Sequence, residues 1–224
     1  MKKFFALIAF TLMASTNMQA QNDSFYNTRH DLGIAIGGPS NSEILGFLTS
    51  VTELAISATV TSVMTGGYAT GYYTYGDAKY VPTISAEYYY HVSKVVAIGG
   101  MVTFNSAKRD MFCAWTNNVD GTRHEEKTGT RKLNNLSVIP TVKIDWLRKR
   151  NFGLYSKAGL GVTMMHETQK DDQEGGLDYK DNMLYVNFHA SLIGAEFGSE
   201  SFRGFTEVGM GEQGIFVAGL RYKF

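Results

Sequence analysis

The chain has 224 residues, in which 21 Lys and Arg balance 21 Asp and Glu, so its formal net charge is zero at pH 7. This balance gives no basic surface of the kind that nucleic-acid binding needs. The single cysteine, Cys113, excludes an intramolecular disulfide. The length suits one domain, and no segment beyond the amino-terminal region has about 18 consecutive apolar residues, which argues against helical membrane spans.

The amino-terminal segment has the layout of a secretory signal peptide. Two lysines open residues 1–20, an apolar core over 4–14 follows, and a small-residue cleavage site ends at Ala20. The core is too short to cross a bilayer as a helix, which takes about 20 residues. We therefore expect export with cleavage after Ala20, and a single domain over 21–224.

Alternation of apolar and polar residues with a period of two recurs eight times in that domain and predicts eight strands. The predicted strands are 29–37, 81–92, 95–108, 131–147, 152–167, 183–197, 202–211 and 214–224. Short turns alternate with the long polar stretches 38–80, 109–130 and 168–182, and a short final connection falls at 212–213. Short turns on one side and long loops on the other are typical of an antiparallel up-and-down transmembrane β-barrel.

The first long stretch, 38–80, allows two interpretations. Ser42 with Glu43 can cap a helix whose apolar residues follow at spacings of three and four. Alternation over 54–61 and a glycine turn before 68–75 would instead add two strands. The first interpretation gives eight strands with a helix in the loop, and the alternative gives ten.

The residues between the apolar sets should line the barrel interior, because neighbouring residues of a strand face opposite sides. Eight strands leave an interior just wide enough for side chains to fill. Charges of both signs should pair there, because an unpaired buried charge costs several kcal/mol. We predict a plugged lumen that holds a charge network of Asp31, Glu87, Lys143, Asp145, Lys157, Arg203, Glu207 and Arg221, with His91, His189 and Lys223 on the same face.

The final strand places Leu220, Tyr222 and Phe224 on one face. This ending resembles the signal by which the barrel-assembly machinery recognises its clients. With the signal peptide and the strand spacing, it resembles small outer-membrane β-barrels of Bacteroidota, similar to the transmembrane domain of the OmpA/OmpX class. The resemblance implies residence in the outer membrane of a Gram-negative bacterium and contact with its lipid and lipopolysaccharide. The surface ligand is unknown.

One residue pair suggests an enzyme. His189 and Ser191 form a His-x-Ser pair that resembles that of the lipid A deacylase barrels, and residues two apart share a face of a strand. A serine needs an adjacent base to become nucleophilic. The shared face is the interior, however, whereas lipid cleavage requires access to lipid, and no acid obviously orients His189. A lipid A-modifying enzyme is therefore an alternative, and a non-enzymatic protein is expected.

Two loop features suggest binding. The carboxylates Asp171, Asp172 and Glu174 could hold a divalent cation, but their spacing does not fit an EF-hand, so we expect a solvated loop and no metal or cofactor. The interleaved tyrosines of 68–75 could form an adhesive or sugar-stacking patch.

Taken together, these features predict an integral outer-membrane barrel that presents surface loops for envelope integrity or for binding a ligand or host molecule. A narrow diffusion pore for small solutes is the alternative from the transport class. Ten strands would favour the pore, because barrel diameter grows with strand number.

Overall fold

The computed structural model describes residues 28–172 and 178–224, so the predicted signal peptide and Glu174 lie outside it. Within these ranges the chain forms nine strands and one helix. In chain order they are β1 (His30–Gly38), α1 (Asn41–Met64), β2 (Ala69–Tyr75), β3 (Lys79–His91), β4 (Val96–Asn117), β5 (Arg123–Arg148), β6 (Phe152–Asp171), β7 (Tyr179–Gly198), β8 (Phe202–Gly211) and β9 (Phe216–Lys223).

The sheet closes on itself. Its antiparallel order is β4-β3-β1-β9-β8-β7-β6-β5, and β5 pairs again with β4. The first and last strands of the chain therefore meet, with Ile34 opposite Leu220. An all-β, up-and-down barrel with eight strand positions is the result, as the alternation predicts.

The ninth strand adds no position to the ring. Along one edge of β4, Tyr75 of β2 lies opposite Met111 and Lys79 of β3 lies opposite Lys108, so β2 and β3 follow one another as a single interrupted strand. The ten-strand alternative is wrong in its count, because residues 54–61 belong to α1, but the strand it placed at 68–75 is present as β2.

The two faces of the wall differ as the alternation predicts. In β1, Leu32, Ile34 and Ile36 are half exposed or more on the outside, whereas Asp31 and Ala35 are buried inside. The same pattern runs around the ring, so the outer surface is apolar and most buried side chains are polar. A folded chain that buries charges and exposes aliphatic side chains is organised for a lipid surround.

The wall is much taller on one side. Strands β4 to β7 have 20 to 26 residues each, whereas β8, β9 and β1 have 8 to 10. The predicted loops 109–130 and 168–182 are therefore mostly strand, with register that continues through Arg109 opposite Arg131. The prediction stopped short because apolar–polar alternation is lost there although pairing continues. The outer ends of β5 and β6 carry polar residues on both faces, whereas the end of β4 carries the apolar run Met111–Trp115. We call β2 with the upper parts of β4 to β7 the tall wall.

Helix α1 stands against the inner face of the tall wall. Its capping residue is Ser40, not the predicted Ser42. The Ser40 side chain accepts from the Glu43 backbone N–H at 3.3 Å, and the Glu43 carboxylate accepts from the Ser40 N–H at 2.5 Å. This reciprocal pair is a capping box. Higher up, Arg109 donates to Ser50 at 3.0 Å, and the Tyr73 backbone N–H donates to Ser57 at 3.2 Å.

The polar and apolar sides of α1 are placed opposite to those of a helix in a soluble protein. Small or polar residues face the wall, while large apolar ones such as Leu48 (55% exposed) and Val63 (75%) face away from it. By length and composition the helix could cross a membrane, with a mean hydropathy of 1.5. In this fold it packs along β2 instead.

Candidate functional site

The lumen is centred on Arg221 of β9, which is fully buried. Its guanidinium donates to Glu196 at 2.9 Å, to Glu87 at 3.1 Å through Nε and to the Tyr155 hydroxyl at 3.2 Å. The rings of Phe205 and Tyr155 lie 4.3 and 4.8 Å from the guanidinium carbon. A planar guanidinium suits this position because it can pair with two carboxylates and stack on rings at once.

Lys157 of β6 links the two halves of the lumen. Its ammonium lies 2.8 Å from Glu87 and 2.9 Å from Glu207, and it donates to the side-chain oxygen of Gln213 at 2.7 Å. All three donor hydrogens of the ammonium thus have an acceptor. This pairing offsets the desolvation that burial of a lysine entails.

A second lysine, Lys143 of β5, holds the acids nearest the short turns. Its ammonium lies 3.0 Å from Asp31 and 3.2 Å from Asp145. His91 adds contacts to the same two carboxylates at 3.1 and 3.4 Å. The strands β1, β3 and β5 are tied together across the lumen by these contacts.

The structure brings all eight predicted lumen residues into one network, together with Lys223 and one acid that the alternation misses. That acid is Glu196, which lies 2.7 Å from Arg203 and also accepts from Lys223. Straight alternation from His189 would place Glu196 outside. A bulge near Leu192 shifts the register and turns it inward. The buried network then holds five carboxylates (Asp31, Glu87, Asp145, Glu196, Glu207) and five cations (Lys143, Lys157, Arg203, Arg221, Lys223).

The connection between β8 and β9 closes the lumen from the tall-wall end. Glu212 and Gln213 are fully buried, although the sequence places them in a short outer loop. Gly211 and Gly214 flank them with φ of 129° and 118°, which glycine adopts without strain. Gln213 donates to Ser85 at 2.7 Å while it accepts from Lys157. The Gly-Glu-Gln-Gly spacing is the sequence signal that could have revealed this inward turn.

Glu212 joins this turn to the start of α1. Its carboxylate accepts from the Ser42 backbone N–H at 3.2 Å and from the Ser42 hydroxyl at 2.7 Å. Amide groups of Asn105 and Asn187 donate to it at 3.1 and 2.7 Å. An acid at a helix amino terminus also interacts favourably with the helix dipole. The turn, the helix and two strands are therefore fixed around one carboxylate.

Farther out, a partly buried ion pair fastens α1 to the tall wall. Arg131 of β5 lies 2.9 Å from Glu53 of α1 and 2.7 Å from Glu167 of β6. The Tyr75 hydroxyl also donates to Glu53. Burial and the Glu53 carboxylate raise the pKa of Tyr75 to about 12, so this tyrosine stays a neutral donor at physiological pH.

The predicted His189–Ser191 pair does not have the geometry of a nucleophile and its base. The Gln213 backbone N–H donates to His189 Nδ1 at 3.4 Å, so the ring proton belongs on Nε2, which lies 2.9 Å from Ser191 Oγ. His189 then donates to the serine instead of accepting from it. Glu207 accepts from the serine itself, whereas a triad acid holds the far nitrogen of the histidine. Both residues are buried in the lumen, away from lipid.

The acidic loop, which is expected to be solvated rather than to hold a cation, is only partly within the described residues. Asp172 lies 3.8 Å from Lys127, and Asp171 ends β6, while Glu174 falls outside the described residues. No group of three His, Cys, Asp or Glu side chains within 28–172 and 178–224 could hold a metal ion.

Comparison with known proteins gives little beyond the fold itself. No protein-family model and no curated protein matches the chain. Among solved structures it is similar to Ail, the attachment invasion locus protein of Yersinia pestis, in complex with the heparin analogue sucrose octasulfate. The two share 13% identity at a TM-score of 0.39, over 88% of this chain and 99% of that one. A likeness of that size carries no functional argument, so the fold rests on the strand pairings described above.

Removing the central cation should destabilise the barrel. Arg221→Met leaves Glu87 and Glu196 buried without their main partner, so we expect a loss of about 3–5 kcal/mol in the free energy of unfolding. Urea unfolding of the refolded protein in lipid vesicles, followed by tryptophan fluorescence, measures it. Arg123→Met is the matched control, because its pair with Glu125 is solvent-exposed and should contribute little. Equal effects of the two substitutions would contradict the network's role.

The enzyme alternative predicts lipid A that lacks an acyl chain in cells that express the protein. Because His189 donates to Ser191 in a closed lumen, Ser191→Ala should leave lipid A acylation unchanged. Mass spectra of lipid A from cells that express the wild type or the variant provide the comparison, with cells that lack the protein as the baseline. Loss of an acyl chain in the wild type alone would reinstate the deacylase.

Proposed function

We propose that this protein is an integral outer-membrane barrel that is closed to solutes and anchors a binding platform outside the cell. Apolar side chains cover the outside of a ring in which every strand is paired, as a hydrocarbon surround demands. At the short-turn end, the ring of His30 lies 5.2 Å from Tyr90 and 5.1 Å from Phe224. Such aromatic clusters are typical of a membrane–water interface.

The filled lumen is the observation that carries this proposal. Five ion-paired cations occupy its centre, and the inward turn with Glu212 and Gln213 lies above them. Eight strand positions leave no further width for a water column. Ten strand positions would have favoured the narrow pore, and this ring has eight.

The platform consists of α1 and the tall wall. Both acids of α1 contact protein, Glu43 in the capping box and Glu53 through Arg131, so its outward side carries no charge. Large exposed apolar patches on a folded protein usually mark sites of interaction with another molecule. A role in binding a ligand or host molecule follows more naturally than a purely structural role in the envelope.

The remaining steps of the proposal concern biogenesis and origin. We infer cleavage of the signal peptide after Ala20, recognition of Leu220, Tyr222 and Phe224 by the barrel-assembly machinery, and an origin in Bacteroidota. The backbone carbonyl of Phe224 accepts from the His30 N–H at 2.8 Å, so the last residue takes part in closing the ring. Lipopolysaccharide would then surround the tall wall.

Planar-bilayer recording tests whether the barrel is closed. The mature chain 21–224, refolded and inserted, should show no steady unit conductance, because side chains fill its lumen. A large porin recorded in the same lipid is the positive control. Insertion is checked by heat-dependent mobility on detergent gels, which closed barrels often show. Reproducible channels from protein that passes this check would contradict a closed anchor and favour the pore.

A further inference from the structure

A cavity of about 460 Å³ opens between α1 and the tall wall. Four strands and the helix contribute to it, and it lies on the side of the protein that faces away from the short turns. Its volume is within the range of about 300–1,000 Å³ that is usual for small-molecule sites. Residues 173–177 lie outside the described chain and are no part of the candidate site.

One part of the lining offers fixed hydrogen-bond acceptors. The Glu53 carboxylate is held by Arg131 at 2.9 Å and by the Tyr75 hydroxyl, yet 38% of its side chain remains exposed. Gln169 also lines the cavity, and its amide nitrogen is held by Glu167. Asp171 adds a second carboxylate. Acceptors held in this way suit a ligand rich in hydroxyl donors.

The other part of the lining is apolar and includes an unused aromatic face. Tyr73 pairs across the sheet with Cys113, and both line the cavity beside Met111. Three nearby tyrosines carry an arginine guanidinium over the ring, at 5.8 Å for Tyr72, 5.6 Å for Tyr75 and 5.6 Å for Tyr80. Among the described residues none stacks in this way on Tyr73, whose surface is 51% exposed.

We propose that this cavity binds one or two rings of a neutral saccharide, with a C–H face of the sugar on Tyr73 and its hydroxyls on Glu53, Gln169 and Asp171. A sugar ring combines an apolar face with many donors, which matches both parts of the lining. Lys170 also lines the cavity, but an anionic ligand would still meet two carboxylates there. A purely apolar ligand would desolvate these carboxylates without replacement hydrogen bonds. This inference rests on the proposed function, because it needs the tall wall to lie outside the cell.

A cysteine in the cavity can report whether a ligand is bound. Cys113 is its only cysteine, it is partly exposed, and it lines the cavity. A bound sugar should shield it, so the rate of its modification by iodoacetamide should fall as the site fills. At ten times the dissociation constant, competitive protection should slow the reaction about tenfold.

The experiment uses the full mature protein in detergent micelles with cellobiose, maltose and N,N′-diacetylchitobiose as probes. At least one should protect Cys113 saturably, and titration calorimetry with the same sugars should give the same dissociation constant. Tyr73→Ala should abolish protection. Tyr72→Ala is the matched control, because its ring lies on the opposite face of β2, and it should retain protection. Gln169→Ala provides a second loss variant that alters no aromatic contact.

Several results would overturn the proposal. The first is that none of the three sugars protects Cys113. The second is that only a cation (tetraethylammonium) or an anion (a sulfated disaccharide), tested in the same assay, protects it. The third is that Cys113 is equally protected in Tyr73→Ala and Tyr72→Ala. Heat-dependent gel mobility is recorded for every sample. Protein that keeps this mobility but binds no sugar refutes the saccharide site alone, whereas loss of the mobility shift in the wild type refutes the barrel on which it rests.

Discussion

The pairing of buried charges across a lumen too narrow for bulk water is the constraint on which the rest of this structure depends. Arg221 shows why: its partners Glu87 and Glu196 come from strands on different sides of the ring, so each ion pair is also a brace between walls. Removing either sign would leave the other buried without compensation. The apolar exterior can vary in sequence as long as it stays apolar, but the interior charges must balance as a set.

The proposed function assigns binding to the region above the filled barrel. The wall continues upward on one side only, and the space over the short strands is occupied by α1, which is held at its start by Glu212 and farther out by Arg131. The helix therefore has a fixed position although the apolar side chains on its outward side are largely exposed. A rigid barrel below and a fixed helix above hold the cavity and the apolar surface in a constant position, as the proposed binding site requires.

Alternation in the sequence was sufficient to predict the ring, because a lipid exterior forces apolar residues onto one face of every strand. It located residues such as Lys157 and Asp31 in the lumen for the same reason. Alternation failed as a guide where the wall does not face lipid or where the strand register changes. Above the apolar zone both faces of β5 carry polar residues, so its outer part looked like a loop. Glu196 was missed because a bulge reverses the faces of β7, and Gln213 because glycines fold its turn inward. The cavity depends on α1 meeting the tall wall, a long-range contact without a local signal.

Solvent contact along one strand tests the central claim most directly. In a Cys113→Ser background, single spin labels are placed at the outward positions Leu160, Val162, Thr168 and Lys170 of β6, and the protein is reconstituted in lipid vesicles. The account predicts that labels at 160 and 162 collide with oxygen, which concentrates in hydrocarbon, and that labels at 168 and 170 collide with a water-soluble nickel complex. Nickel access at 160 and 162 would contradict a polar-filled barrel with lipid outside.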